Sequence, residues 1–176
     1  SRRHILGRAG VLAGGEIVGS SVVSDAQPAA AATKVPNSFA ATELSTVRFE
    51  LVASREQKQA LELFKAGILD VPDAIARRAT MTRFDGDRQY VAWQGAGIEL
   101  FPKSRNLAGT PMAEQPDAEY GRWAESRVMR AFQRGEAIFE LCRGLVEVDG
   151  SRTVWRYFSL RLPRPDGTTL NVTARA

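Results

Sequence analysis

Nucleophilic catalysis, haem ligation and zinc binding each need particular side chains, and this sequence holds one histidine, His4, and one cysteine, Cys142. His4 stands near the N-terminus, far from every segment with a core-forming pattern. A Ser/His/Asp or Cys/His site therefore lacks its imidazole base in the part that folds, and zinc sites of the Cys/His kind are excluded with it. One cysteine allows no intramolecular disulfide. Cys142 alternates with Ile138, Glu140, Val146 and Val148, the pattern of a small apolar side chain buried on a strand. Asp85 and Asp87 flank Gly86 and read as turn formers before an acid–base or metal pair. Gly95-Ala96-Gly97 lacks the third glycine and the βαβ setting of a phosphate loop. The chemistry that remains is recognition.

Arg156 is the most informative polar residue for that task. By strand alternation it shares a face with Val154, Phe158, Leu160 and Leu162. An arginine in such a row carries its head to the sheet edge, meets an internal carboxylate, or meets a ligand anion. Taken with Trp93, Tyr90, Phe158 and Trp123, it gives the expected lining of an apolar cleft with one fixed cation, suited to a small carboxylate or flat aromatic acid. The segment Gly95–Thr110 is expected to cover that cleft. The opposite row, Trp155, Tyr157, Ser159 and Arg161, reads as an amphipathic outer face for a dimer or partner.

The elements that must position these residues follow from periodicity. Val47, Phe49 and Leu51 alternate as a short strand or extended lead-in. Ser54-Arg55-Glu56-Gln57 is a capping box before a helix striped by Leu61, Phe64 and Ile68, with Gly67 as its stop. Asp70–Arg78, with Pro72 early, predicts a second short helix. Met81–Phe84 and Arg88–Gln94 flank Asp85-Gly86-Asp87 and predict a hairpin. Gly95–Phe101 reads as a short helix or turn, and the stretch to Gln115 as loop. Pro116 opens the longest helix, apolar along Tyr120, Trp123, Ala124, Val128, Ala131 and Phe132 and ended by Gly135. Ala137–Val148, Ser151–Leu162 and Thr168–Ala174 then form a three-strand meander. Five antiparallel strands with the long helix inserted between the second and third predict an α+β domain with helices packed mainly on one face.

The 176 residues, 44% hydrophobic and 25% charged, are the composition of a globular chain large enough for its own core. The net charge of +4 is interleaved with acids and forms no stripe, so nucleic acid is not an expected partner. No apolar run reaches the length of a transmembrane helix. Residues 1–32 divide from the rest by composition: Arg2-Arg3, a mildly apolar stretch to Val23, Pro28 and the small residues Ala29–Ala32. This segment resembles a twin-arginine export leader, which would place the protein in the periplasm. As an Ala/Gly-rich tail it would leave the protein cytoplasmic. The remainder divides into an N-terminal extension with helices over 33–79 and a main domain over 80–176.

Tyr90-Val91-Ala92-Trp93-Gln94-Gly95, then Ile98-Glu99-Leu100-Phe101 and Asn106-Leu107-Ala108-Gly109-Thr110, precede Arg134-Gly135-Glu136-Ala137 and a meander carrying Arg156-Tyr157, Leu160-Arg161-Leu162-Pro163 and Asp166-Gly167. In this order the motifs resemble a PAS domain of a bacterial subgroup with a helical segment before the first strand. The resemblance implies a PAS-like five-stranded sheet, a pocket between sheet and helical segment, and a sensory or interaction role through a separate partner or a homodimer. PAS domains hold haem, flavin, a small metabolite or nothing. Haem on a histidine and a cysteine–flavin adduct are both disfavoured here, since His4 is remote and Cys142 sits on a strand, so the cofactor stays open. The expected function is non-enzymatic binding of a small organic or anionic ligand. The alternative is a small enzyme on a cone-shaped α+β fold, with a buried Asp or Glu as base.

Overall fold

The structure, a computed structural model, describes residues 38–97 and 106–176. The expected leader over 1–32 and the stretch Ile98–Phe101 lie outside the described residues.

The chain enters through β1 (Phe39–Glu43) and three helices, α1 (Thr46–Val52), α2 (Arg55–Lys65) and α3 (Asp73–Ala76). A hairpin follows, β2 (Ala79–Asp85) and β3 (Arg88–Gln94). A 3-10 turn at Met112–Glu114 then leads into α4 (Ala118–Arg134), and the meander of β4 (Ile138–Val148), β5 (Ser151–Pro163) and β6 (Thr168–Arg175) closes the fold. All pairings are antiparallel, in the order β1-β4-β5-β6-β2-β3.

Local chemistry explains most boundaries. Ser54 Oγ accepts from Gln57 N–H, and Gln57 Oε1 accepts from Ser54 N–H at 3.0 Å, completing the capping box. The buried Gln57 amide also donates to the carbonyls of Phe158 and Val172, so the cap ties α2 to the sheet. Asp117 caps α4 through Tyr120 N–H at 2.9 Å, and Gly135, at φ 64°, ends it in the left-handed region. The β4–β5 hairpin turns through Asp149 and Gly150 at φ 50° and 75°, the two-residue primed turn that matches strand twist.

Three expectations change. The sheet has six strands rather than five, because Phe39–Glu43 adds to the free edge of β4; five residues with little alternation carry a weak signal. Val47–Leu51 is helical rather than extended: Ser45 accepts from Arg48 N–H as an N-cap, and only Phe49 turns inward while Val47 and Leu51 stay exposed. Helices cover both faces of the sheet, not mainly one. Phe49, Ala60 and Ile75 from α1–α3 pack on one face, against Phe139, Leu160, Leu162, Leu170 and Val172. Tyr120, Ala124 and Val128 from α4 pack on the other, with Val91, Val146 and Val148. The central strands are thus buried on both sides, a state that an apolar row along one face does not report.

Candidate functional site

The five residues expected to line a cleft do not meet. Arg156 is exposed, directly opposite Arg143 on β4 and beside the exposed Val154. Phe158 and Trp93 are half-buried against the cluster beneath α1–α3, with Phe158 stacked on Phe139. Tyr90 pairs with Arg83 and bridges to Pro111. Trp123 belongs to the α4 side, stacked on Phe39 at 5.5 Å between ring centres. Arg156→Ala is therefore expected to leave stability within about 0.5 kcal/mol of wild type, as for an ordinary surface change, and to leave ligand binding unaltered. Chemical denaturation and calorimetry of the variant check this.

The row read as an outer face is buried as well. Tyr157, Ser159 and Arg161 of β5 lie under α4 with Glu140 and Cys142 of β4 and Thr169 and Asn171 of β6. Strand register sets their neighbours: Cys142 lies opposite Tyr157, Glu140 opposite Ser159, and Arg161 opposite both Ile138 and Asn171. Glu140 is fully buried and accepts from Arg161 on its diagonal and from Arg127 on α4. Arg130 comes within 4.0 Å from a more exposed position. Arg161 Nη2 also lies 3.8 Å from Cys142 Sγ.

One buried and one partly buried guanidinium thus share one carboxylate. The thiol and the two phenols at this spot add no negative charge, while the buried Asp117 carboxylate lies beside Tyr120. Burial raises the Cys142 thiol pKa, and burial first of all pushes Tyr120 up from 10.0 to about 12 and Tyr157 well above its ordinary value. Their hydroxyls, 2.9 Å apart, share a hydrogen bond as neutral groups. Arg161 Nε and Asn171 Oδ1 have no hydrogen-bond partner among the described residues. Both residues line a cavity of about 60 Å3 between α4 and the sheet, together with Tyr120, Tyr157, Ser159, Gln94 and Gln115.

The tyrosine pair makes stability depend on alkaline pH. Tyrosines in the unfolded chain ionise near 10.0, whereas the folded pair stays protonated to higher pH. The pair's contribution is fully present below pH about 10 and is lost as pH rises from there towards 12. Tyrosinate absorbance followed alongside circular dichroism should show part of the tyrosine signal appearing only with unfolding. Full ionisation of all three tyrosines with the fold intact would contradict it.

A six-stranded antiparallel sheet with helices on both faces, and a cavity under α4 lined in part by Arg161, defines the class of this α+β domain. Compared with known proteins, no family model, curated relative or solved structure matches the chain. Among the described residues no helix is long and apolar enough to cross a membrane, and no cluster of His, Cys, Asp and Glu could hold a metal ion. The residues that sequence reasoning missed are Arg161, Asn171, Glu140 and Tyr157. One signal was present: Glu140 interrupts an otherwise apolar alternation on β4, and a carboxylate in such a row needs a cation on a neighbouring strand or helix.

Proposed function

We propose that this chain is a non-enzymatic, PAS-like sensory module that binds a small carboxylate-type anion in the cavity under α4 and signals through a separate partner. The carrying observation is that Arg161 and Asn171, whose Nε and Oδ1 atoms lack a hydrogen-bond partner among the described residues, both line that cavity, with Arg161 and Arg127 sharing the carboxylate of Glu140. A buried guanidinium N–H with no partner favours an anion. The volume, about two water molecules' share, limits it to a few heavy atoms, as in formate or acetate. The PAS-like part of the reading is supported by the hairpin, long helix and meander in that order, with the cavity between sheet and helix where the resemblance implies one.

A catalytic reading needs a carboxylate able to exchange protons in an open site. Among the described residues the buried carboxylates are Asp117 and Glu140. Asp117 accepts from the N–H groups of Tyr120 and Glu147, and Glu140 is held by two arginines. Both already serve the fold, which favours binding over an Asp or Glu base. The exposed Val47 and Leu51 on α1 offer an apolar surface to a partner or second copy. If residues 1–32 act as an export leader, the module works in the periplasm, and mass spectrometry of the native protein from cell fractions decides that point.

Titration calorimetry with formate and acetate tests the binding reading. Wild type should bind one equivalent, and Asn171→Leu, which fills the space, should abolish it. No heat from any small carboxylate with the wild type would end the proposal.

A further inference from the structure

The search beyond the α4 cavity leads to the end of the sheet where α2, the β5–β6 turn and the C-terminal end of α4 converge. There Gly67, at φ 68°, turns the chain out of α2, with Ile68 N–H donating to Leu63 O at 2.9 Å. The turn leaves a groove of about 410 Å3, within the size range of small-molecule sites. Leu63, Phe64, Ile75 and Leu162 line it, and Ile68, Leu69 and Phe132 stand at its margin 49%, 43% and 37% exposed.

One wall carries Arg164, whose side chain is only 11% exposed. Its guanidinium donates to the carbonyl of Leu69 and lies 3.6 Å from Met81 Sδ. Its carboxylate neighbour, Asp166, is 3.9 Å away, at the outer limit of an ion pair, and is bound by Thr168 through N–H at 3.0 Å and hydroxyl at 2.6 Å. Asp70, the other acid of the groove, is exposed, where water screens it.

We propose that this groove is a second ligand site, independent of the α4 cavity, and that its occupant is an aliphatic carboxylate: an apolar tail along Leu63, Phe64 and Leu162, with its head group at Arg164. Charge complementarity chooses the head, because a mostly buried guanidinium with one distant carboxylate gains an ion-paired hydrogen bond from a carboxylate, whereas an alcohol offers only a neutral acceptor. Shape chooses a small molecule over a second copy. A stable protein interface buries about 800 Å2 on each partner, and three partly exposed apolar side chains around a concavity do not provide that.

Displacement of the dye Nile red from the purified full chain tests the site, with laurate and lauryl alcohol as competitors below their aggregation concentrations. Laurate should displace the dye at concentrations at least about tenfold lower than the alcohol, the factor a charge-assisted hydrogen bond supplies. Arg164→Gln should erase that preference while retaining tail binding. Leu63→Trp should fill the groove and abolish both, and Ile68→Glu, an exposed change, should weaken laurate if the tryptophan variant fails to fold. Failure of laurate to displace the dye, or equal potency of acid and alcohol on wild type, overturns the proposal. So does a dimer, seen in sedimentation, that Ile68→Glu dissociates and laurate leaves intact, because the groove then belongs to a second copy. Calorimetry with acetate reads the α4 cavity separately, so either site can fail alone.

Discussion

Glu140→Ala is expected to lower the free energy of unfolding by about 3–5 kcal/mol, the range for breaking a buried ion pair from one side. The carboxylate is fully buried and accepts from both Arg127 and Arg161. Without it two guanidiniums remain under α4 with no carboxylate between them, and Arg161 is itself only 3% exposed. The urea midpoint should fall accordingly. The combined change Glu140→Leu with Arg161→Met should recover part of the loss, since replacing a buried ion pair by apolar groups of similar size is often neutral while the partly exposed Arg127 can turn to water. The same double variant should bind no carboxylate, which separates the stability of this layer from its recognition chemistry. A loss below about 1 kcal/mol for Glu140→Ala would mean that the arginines find water or other partners.

Gly121→Ala is the second, and its sign is the informative part. Gly121 sits in the first turn of α4, where helix propensity alone favours alanine by about 1 kcal/mol. Packing opposes this: a Cβ at Gly121 would lie 2.1 Å from the carbonyl oxygen of Met112, a backbone atom that no rotamer change can move aside. The start of α4 must shift off the 3-10 turn, and the expected net result is a loss of about 1–3 kcal/mol. Tyr120 and Met112 both line the α4 cavity, so anion affinity should fall as well. A rise in melting temperature would show that α4 sits less tightly on the turn than described.

The sequence makes the elements legible wherever a local rule is strong. The capping box at Ser54, the stop at Gly135, the Asp-Gly turns and the helix over Ala118–Arg134 each follow from nearest-neighbour chemistry. The α+β class and the antiparallel meander follow from element order. What stays hidden is which face of β5 carries the buried polar cluster. Val154, Phe158, Leu160 and Leu162 form the more apolar row, yet that row lies under α2 only in part, and Val154 and Arg156 emerge into solvent at the strand's far end. The polar row of Tyr157, Ser159 and Arg161 is buried because Glu140, Tyr120 and Arg127 satisfy it from two other elements. Pairings across 13 to 37 residues decide that burial, and strand alternation contains no information about them. The short edge strand β1 is hidden for a similar reason, since its pairing with β4 spans the whole domain.

The central claim is that the cavity lined by Arg161 binds an anion, and the most direct measurement is the resonance of the Arg161 Nε–H group by nuclear magnetic resonance during titration with formate or acetate. A buried arginine N–H without a partner among the described residues should give a distinct signal that moves saturably as the carboxylate takes the bond. The shift should be absent in Asn171→Leu and present in Arg156→Ala. An Arg161 signal that stays fixed throughout the titration, in a protein shown to be folded, would contradict the account.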